Sequence, residues 1–446
     1  MAILHAGLAA VAPAEATRRA LLEALEQTGA SEGFSFPARL PGAGGRILVL
    51  GAGKAAFSML EGALEALQAA LGEEALERVK GLLVGPPGVS ERAGKVRLVA
   101  GGHPLPDERG AEAARGMLDL AEEAEEADLV VILLSGGASA LMSLPAPGLS
   151  LEDLRVASDA LLASGAPIEE VNAVRKHLSS ISGGRLGVAC GPAPTLVMVV
   201  SDVVGDRLSA IGSGPACGDP SSFGEALEIV RRRGLARRVP RAVVALLEAG
   251  SRGEVPETPD PDDPRLAHVR HFIVARNLDA CRAMAQAAEE RGYRAMILSH
   301  TLEGEARELG VVHAGLALSV VGDGVPLPAP CALVSGGEAT VTLRGQGRGG
   351  RNQETVLAAA KRLAGLPATF LSAGTDGVDG PTEAAGGVVD GATAFEAARL
   401  GVDLDSALDE NDSGSALAAL GALVETGPTG TNVADVRLLL IGEGAA

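Results

Sequence analysis

Short runs of apolar residues alternate with amphipathic stretches along almost the whole chain. Apolar runs bounded by Gly, Pro or Ser predict buried strands, and apolar residues at spacings of three and four predict helices. The predicted strands are Arg46–Leu50, Gly81–Val84, Val96–Val99, Leu129–Leu134, Thr195–Val200, His271–Ala275, Arg294–Leu298, Cys331–Val334, Ala339–Leu343, Thr369–Ser372 and Val436–Ile441. The predicted helices include Ala55–Leu71, Arg109–Ala127, Leu151–Ala163 and Leu278–Arg291. This alternation predicts an α/β architecture with mostly parallel sheets and helices on both faces.

The length and one linker predict two domains. The chain has 446 residues, which exceeds the size of one ordinary hydrophobic core. Residues 251–269 combine four prolines with a run of acidic residues, and proline is poorly suited to a helix interior. We therefore predict a first domain over residues 1–255 and a second over residues 270–446. A shorter proline-rich piece, Asp323–Pro330, precedes the last group of motifs.

Composition narrows the class of function. Aromatic residues make up only 2% of the chain, with no Trp and one Tyr, which disfavours a base-stacking surface for nucleic acid. The formal net charge of −19 would repel a polyanion, so we expect small-molecule partners. The four cysteines form no C-x-x-C pair, which disfavours a zinc site or a disulfide framework. With no run of 18 apolar residues and no secretory signal, we expect a cytoplasmic protein without a membrane span.

The stretch Gly51-Ala52-Gly53-Lys54-Ala55-Ala56 follows the first predicted strand and allows two interpretations. It fits a G-x-G-x-x-A dinucleotide fingerprint, which requires an acidic residue at the end of the next strand. That strand ends in Gly85-Pro86-Pro87 instead. The other interpretation is an anion site, where the turn presents N–H groups at a helix N-terminus and Lys54 adds a positive charge. A plain strand–helix turn with a solvated Lys54 is the structural alternative.

A second glycine turn follows the strand Leu129–Leu134. Ser135, Gly136 and Gly137 end this apolar strand, and their N–H and hydroxyl groups predict contact with an anionic ligand. A bare Gly-Gly turn is the alternative. The same Ser-Gly-Gly element recurs at residues 335–337, where we expect another turn after a strand and take Gly337 as a further ligand contact.

A basic cluster stands out in this acidic chain. Residues 172–187 contain Arg175, Lys176, His177 and Arg185, and such a cluster is suited to bind a carboxylate or a phosphate. A solvated helix face is the alternative. We take Lys176 and Arg185 as the candidate binding residues.

Two carboxylates follow the strand Thr195–Val200. Asp202 and Asp206 lie beside a Gly-Ser-Gly-Pro loop, and oxygen ligands next to phosphates suit Mg²⁺. The alternative for Asp202 is the capping of a helix N-terminus, which is a common role for Asp after a strand.

The C-terminal region contains four polar, glycine-rich loops. In residues 336–354 the glycine spacing predicts a backbone open to a ligand, with Arg344, Arg348 and Arg351 beside it. Residues 372–390 add Asp376, and residues 410–417 and 426–436 add small hydroxyl and amide groups. Arginines for phosphate, aspartates for metal and glycines for access together indicate phosphoryl transfer.

Several of these motifs together resemble the class II glycerate kinases, the glycerate 2-kinase family whose C-terminal part is called the MOFRL domain. The motifs are GAGKAA, GGHPLPDERG, LLSGGASAL, NAVRKHLSSISGGRL, SDVVGDRLSAIGSGP, GQGRGGRNQE and SAGTDGVDGPT. The resemblance spans about residues 14–441, with the MOFRL region at about 330–441. It implies two α/β domains, a Rossmann-like larger one, and an active site in the cleft between them.

The resemblance also implies an activity and its residues. The activity is ATP-dependent phosphorylation of D-glycerate to 2-phospho-D-glycerate with Mg²⁺. By motif, the catalytic lysine is Lys54 and the key arginine is Arg351, which would hold the phosphoryl group or the glycerate carboxylate. Asp202 and Asp376 are the candidates for the Mg²⁺ ligands or the base. The remaining predicted binding residues are Gly51, Gly53, Ser135, Gly136, Gly137, Lys176, Arg185, Gly337, Arg348, Thr375 and Asn411.

Two other classes of function stay open at this point. Members of this family have also been labelled hydroxypyruvate reductases, so an NAD(P)H-dependent reductase is the main alternative. The missing acidic residue after the second strand argues against it. A sugar-acid or nucleotide sensor without turnover is the third class, and a homodimer is an open expectation for the assembly.

Overall fold

The computed structural model describes residues 1–27, 45–87 and 92–442, and its strands form two sheets. The strands are β1 (Ile47–Ala52), β2 (Val79–Gly85), β3 (Arg92–Ala93), β4 (Val96–Ala100), β5 (Leu129–Leu134), β6 (Thr195–Val200), β7 (Val269–Ala275), β8 (Arg294–Glu305), β9 (Cys331–Thr340), β10 (Ala368–Gly374), β11 (Gly386–Asp390), β12 (Leu423–Val424) and β13 (Asp435–Ile441).

Helices connect most of these strands. They are α1 (Ala2–Ala10), α2 (Pro13–Gln27), α3 (Ala56–Leu71), α4 (Glu108–Glu122), α5 (Ala138–Leu141), α6 (Leu151–Ala163), α7 (Ile168–His177), α8 (Arg185–Ala189), α9 (Phe223–Arg232), α10 (Arg241–Ser251), α11 (Asn277–Glu289), α12 (Ala306–Asp323), α13 (Arg351–Leu363), α14 (Thr393–Leu400), α15 (Leu404–Asp409) and α16 (Ser413–Ala419). No described helix combines the length and the apolar character that crossing a membrane requires.

The chain divides into two compact units. The large unit comprises residues 13–201 and 206–274, and the small unit comprises residues 1–12, 202–205 and 275–446. Helix α1 packs on α11 inside the small unit, although it stands at the start of the chain. The boundaries predicted from the linker, 1–255 and 270–446, stay a prediction.

The large sheet has the strand order β3-β4-β2-β1-β5-β6-β7. The pairs β4/β2, β2/β1, β1/β5 and β5/β6 are parallel, and the short β3 is antiparallel to its neighbour β4. Every residue of β1, β5 and β6 is buried, as their continuous Val, Leu and Ile runs predict for central parallel strands. The α/β class and the mostly parallel larger sheet are therefore confirmed.

The order of the large sheet reverses between β1 and β5. From β1 the chain proceeds outward to β2 and β4, and then returns to the other side of β1 as β5. In open α/β sheets, ligands bind beyond the carboxyl ends of the strands at such a switch point. Gly53 and Lys54 follow β1 at this edge, and Ser135 to Gly137 follow β5.

The sheet of the small unit corrects the expectation of parallel sheets throughout. Its order is β12-β11-β10-β13-β9-β8, and only the β8/β9 pair is parallel. The apolar runs predicted most of these strands, but a run of apolar residues does not encode the direction of its partner. Helices α12 and α13 pack on this sheet around a core that includes Val356, Leu357 and Phe370.

Strand β9 corrects two predictions. The predicted strands Cys331–Val334 and Ala339–Leu343 belong to one continuous strand that ends at Thr340. Ser335, Gly336 and Gly337 therefore lie inside a strand, and the second predicted Ser-Gly-Gly turn is wrong. A Cβ on Gly336 would lie 1.7 Å from the Asn277 side-chain oxygen, and one on Gly337 would lie 2.2 Å from the Leu302 carbonyl oxygen. These glycines permit close packing inside the unit.

Candidate active site

The β1 and β5 turns interlock at the switch point of the large sheet. A Cβ on Gly51 would lie 2.1 Å from the Leu133 carbonyl oxygen, and one on Gly53 would lie 2.0 Å from the Ser135 hydroxyl oxygen. Both glycines have positive φ, at 158° and 142°. The structure thus requires glycine at both positions so that the two turns can approach each other.

The backbone of the β1 turn is occupied by protein contacts. The Gly53 N–H donates to Val84, the Lys54 N–H donates to Gly136 at 2.9 Å, and the Ala55 N–H donates to the Ser135 hydroxyl at 3.0 Å. The expectation that these N–H groups bind an anion is therefore wrong. The side chain of Lys54 is exposed, and its binding of a ligand stays a prediction.

The β5 turn supplies the open N–H groups instead. Gly137 has φ 84°, and neither its N–H nor that of Gly136 donates to any group in the described part of the chain. Successive N–H groups in a turn with a left-handed residue form a concave anion site. A Cβ on Gly137 would lie 3.5 Å from Lys54 Cγ, so the lysine side chain runs directly past this turn.

His103 also lies at this site, and the predicted site residues did not include it. The position of a Cβ on Gly137 is 3.0 Å from His103 Nε2. Burial removes water from the His103 ring, and the charge of Lys54 disfavours a second positive charge beside it. Both effects, burial first, lower the pKa of His103 below its usual value. The ring is therefore neutral at pH 7, and it can donate one hydrogen bond and accept another. Its motif, GGHPLPDERG, was a signal that could have found it.

The loop after β6 reaches the β5 turn. The Ser139 and Ser213 hydroxyls are 2.9 Å apart, and Ser213 is buried with φ 60°. The Gly183 N–H donates to the Ser213 carbonyl at 3.0 Å, and the Gly184 N–H donates to the Gly214 carbonyl at 2.7 Å. These bonds join three of the glycine-rich motifs, which begin at residues 133, 172 and 201, within the large unit.

The basic cluster on α7 and α8 is largely internal. Lys176 has a side chain only 6% exposed, and its ammonium nitrogen lies 3.1 Å from an Asp219 carboxylate oxygen. Arg185 donates to the carbonyls of Lys176 and Ser182. The buried His177 lies 2.8 Å from Glu257. A solvated helix face is excluded for Lys176 and His177, and ligand binding by Lys176 and Arg185 stays a prediction.

Arg351 lies at the centre of a charge network in the small unit. Its Nε donates to both oxygens of the buried Asp435, at 3.0 and 2.8 Å, and its Nη1 lies 3.3 Å from Glu338. Burial alone would lower the pKa of Arg351, but Asp435 and then Glu338 raise it above its ordinary value. The guanidinium is held in one place, and its side chain remains 32% exposed.

Asp435 organises this network, although the predicted site residues did not include it. Besides Arg351, its carboxylate accepts from Asn352 Nδ2 at 2.9 Å and lies 3.5 Å from Arg437 Nη2. Arg437 is 0% exposed, and its Nε and Nη1 have no hydrogen-bond partner among the described residues. Asp435 is therefore the carboxylate that compensates a buried arginine while it orients Arg351.

Two further carboxylates of the small unit have raised pKa values. Burial, together with repulsion from Asp435, Asp202 and Glu303, raises the pKa of Glu338. Burial raises the pKa of Asp379 to about 6, although the N–H groups of Gln353 and Asn352, at the start of α13, oppose the shift. A carboxylate with a raised pKa beside a fixed arginine is suited to accept a proton.

The glycine-rich loop before α13 corrects a prediction. Cβ atoms on Gly345, Gly347 and Gly349 would lie 2.3, 2.3 and 2.1 Å from atoms of Glu410, Asp412 and Ser413, respectively. These glycines thus serve loop-to-loop packing, and the expectation that they open the backbone to a ligand is wrong. Asn411 accepts from the N–H groups of Arg344 and Gly345. It anchors this loop.

The other predicted site residues of the small unit make hydrogen bonds with different loop segments. Thr375 is buried and donates to the Ala434 carbonyl at 2.7 Å. Asp376 accepts from the Val378 N–H at 3.1 Å, and Arg348 donates to the Pro381 carbonyl. Among the described residues, no three or more His, Cys, Asp or Glu side chains gather into a group that could hold a metal ion.

Comparison with known proteins identifies the family. The family model described as a domain of unknown function (DUF4147) matches residues 1–248, and the MOFRL family model matches residues 331–435. The glycerate 2-kinase of Pyrococcus horikoshii is 40% identical over 398 residues, which cover 89% of this chain and 88% of that protein. This chain belongs to the glycerate 2-kinase family.

Another member of the glycerate 2-kinase family and one crystal structure give the same assignment. The D-glycerate 2-kinase of Thermotoga maritima is 41% identical over 89% of this chain and 91% of that protein. A crystal structure of glycerate kinase from Thermotoga maritima has a TM-score of 0.85 and 38% identity, and the match covers 98% of this chain and 97% of that one. The resemblance stated from the motifs is confirmed.

Proposed function

We propose that this protein transfers the γ-phosphoryl group of ATP to the 2-hydroxyl of D-glycerate, giving 2-phospho-D-glycerate and ADP. The family supports glycerate as the substrate, because relatives named glycerate 2-kinase match most of the chain. The observation that carries the site is the position of Lys54. Its side chain passes the open N–H groups of Gly136 and Gly137 at the switch point of the parallel sheet.

This arrangement suits an anionic group that gains or shifts charge during transfer. Phosphoryl transfer depends mainly on positioning and charge neutralisation. Lys54 supplies a positive charge and the β5 turn supplies two N–H donors, so together they bind phosphate oxygens. The neutral His103 ring adds a hydrogen bond without a second positive charge that would compete with Lys54. Fixed donors of this kind stabilise charge in the transition state.

Arg351 is the proposed cationic group of the small unit. Its contacts with Asp435 and Glu338 fix the guanidinium, and its exposed part can bind a carboxylate or a phosphoryl oxygen. Asp202 or Asp376 is the proposed base for the 2-hydroxyl proton. As the oxygen–phosphorus bond forms, the bond to the ADP oxygen breaks and the hydroxyl proton passes to that carboxylate. That Lys54 and Arg351 act on one substrate in a cleft between the domains stays a prediction.

Mg²⁺ is the proposed companion of the ATP substrate. Asp202 belongs to the small unit, and its charge is one of those that raise the pKa of Glu338. Mg²⁺ is usually held by one or two carboxylates together with substrate phosphates, so a preformed cage is not required. Asp202 would hold it with the phosphates, and Asp376 is the other proposed ligand. When bound, the ion neutralises the charge of the transferring phosphates.

The Lys54→Ala variant tests the proposed site. We expect turnover with ATP, Mg²⁺ and D-glycerate to fall roughly a hundredfold or more, as for the loss of one transition-state donor. The matched control is Lys95→Ala, which removes an exposed lysine that pairs with Glu77. ADP release in a coupled assay measures both rates. Near-normal turnover of a folded Lys54→Ala protein would remove Lys54 from the mechanism.

A further inference from the structure

The large unit contains a cavity that the β1 and β5 turns do not line. Its volume is about 350 Å³, and it is lined by one side of α7, by residues 207–210 and by residues 219–225. None of the lining residues belongs to the two turns. The size falls in the range of cavities that hold small molecules, and the mechanism proposed above makes no use of it.

The charged side chains of this cavity are mostly neutralised by partners. Lys176 pairs with Asp219, and Arg207 pairs with Glu169. Glu170 is bound by two arginines that do not line the cavity, Arg232 and Arg233. The lining contains four carboxylates, of Glu169, Glu170, Asp219 and Glu225, against two cations. A ligand with a strong negative charge is therefore disfavoured.

Asn172 and Ser209 are neutral polar residues of the lining whose side chains lack partners among the described residues. Asn172 is only 7% exposed, and its side-chain amide makes no hydrogen bond within the described residues. The Ser209 hydroxyl also makes none there. The buried carboxylate oxygen Asp219 Oδ2 of the lining also has no hydrogen-bond partner among the described residues. The amide offers two donors and one acceptor to whatever enters the cavity.

We propose that this cavity binds a neutral, hydroxyl-bearing group through Asn172 and Ser209. A hydroxyl both donates and accepts, so it can pair with the amide and with the serine at once. It adds no charge to a lining that already has an excess of carboxylates. Two sources have this chemistry. One is the ribose end of the phosphoryl donor, which rests on the proposed function, and the other is a free polyol.

Titration calorimetry with uncharged probes tests the proposal. The probes are adenosine and glycerol, with inorganic phosphate as the charged comparison, and the proteins are the wild type, Asn172→Ala and Gln68→Ala. Gln68 is an exposed amide on α3 of the same unit, so its truncation is the matched control. We expect wild type and Gln68→Ala to bind alike and Asn172→Ala to bind about tenfold more weakly, because one or two hydrogen bonds are lost.

The outcomes distinguish the two sources of the hydroxyl group and also test whether the cavity binds such a group at all. Adenosine binding that depends on Asn172 identifies the ribose, and glycerol binding with the same dependence identifies a polyol. The proposal is overturned if neither probe binds at millimolar concentration, if Asn172→Ala binds as tightly as wild type, or if phosphate binds best. Because no turnover is measured, failure here leaves the kinase reaction untouched. Should Asn172→Ala not fold, Ser209→Ala replaces it, with a smaller expected loss.

Discussion

Asp435→Asn is the substitution whose effect the structure specifies most fully. The carboxylate is 0% exposed and binds Arg351, Asn352 and the fully buried Arg437. Asparagine keeps the volume and removes the charge. Arg437 would then be a buried cation without its adjacent carboxylate, while two of its nitrogens already lack partners among the described residues. Breaking a buried ion pair on one side destabilises a protein by about 3–5 kcal/mol.

The chain provides its own reporter for this measurement. It contains no Trp, and its one Tyr is Tyr293, between α11 and β8 in the small unit. Tyrosine fluorescence during urea unfolding therefore follows the unit that contains Asp435. The matched control is Asp405→Asn, which removes an exposed pair with Lys361 and is expected to change the free energy of unfolding by about 1 kcal/mol or less.

Two comparisons test the role of Asp435. If Asp435→Asn unfolds at the same urea concentration as Asp405→Asn, the buried arginine does not depend on this carboxylate. A double variant, Asp435→Asn with Arg437→Met, gives the second check. It should regain part of the lost stability, because the uncompensated charge is removed together with its partner.

Three further predictions concern packing and pH. Gly53→Ala should lower stability by roughly 1–3 kcal/mol and abolish activity, because its Cβ would meet the Ser135 hydroxyl at 2.0 Å. Gly224→Ala, with nothing nearer than 3.7 Å, should be neutral. Urea unfolding of both variants is followed by far-UV circular dichroism, because Tyr293 lies in the other unit. Gly347→Ala should destabilise the small unit through its 2.3 Å contact with Asp412, measured by Tyr293 fluorescence. Burial, with repulsion from Arg437, lowers the pKa of His313 from 6.5 to about 4. As pH falls from 6.5 towards 4, this histidine therefore takes up a proton in the unfolded chain before it does in the folded protein. The free energy of unfolding should decrease over that range. His313→Asn should reduce that decrease in urea midpoint between pH 7 and pH 5.

The central strands of the large sheet followed from the sequence because they are buried along their whole length. The runs Leu129–Leu134 and Thr195–Val200 were predicted with the bounds that the structure has, since polar residues or proline flank them. In the small unit, β8 continues to Glu305 through polar residues, so the apolar run marked only its first part, Arg294–Leu298. Strand β11 begins with two glycines and was missed.

The sequence predicted those parts of the candidate site that lie within a single motif. Lys54 and the Ser135–Gly137 turn lie at strand ends, and the strand-to-helix pattern placed both. The network around Arg351 depends on sheet register instead. Asp435 stands opposite Gly337 on β9 and Gly374 on β10, and these pairs join residues far apart in the chain. No local spacing encodes such pairing, so Asp435 and Glu338 emerged only from the structure.

The glycine motifs show the limit of interpreting residue types. Gly51, Gly53, Gly345 and Gly347 were expected to expose backbone to a ligand. In the structure a Cβ at each would collide with protein atoms at 2.3 Å or less. A glycine needed for close packing and one needed for ligand approach look the same in a sequence. The difference appears only when the neighbouring segment is known.

The product of the reaction tests the central proposal most directly. The purified protein is incubated with ATP, Mg²⁺ and D-glycerate, and the phosphorus resonances of the products are recorded by ³¹P NMR. We expect ADP and 2-phosphoglycerate to form in equal amounts. The appearance of 3-phosphoglycerate, or no phosphorylated product while NAD(P)H is oxidised with hydroxypyruvate, would contradict it.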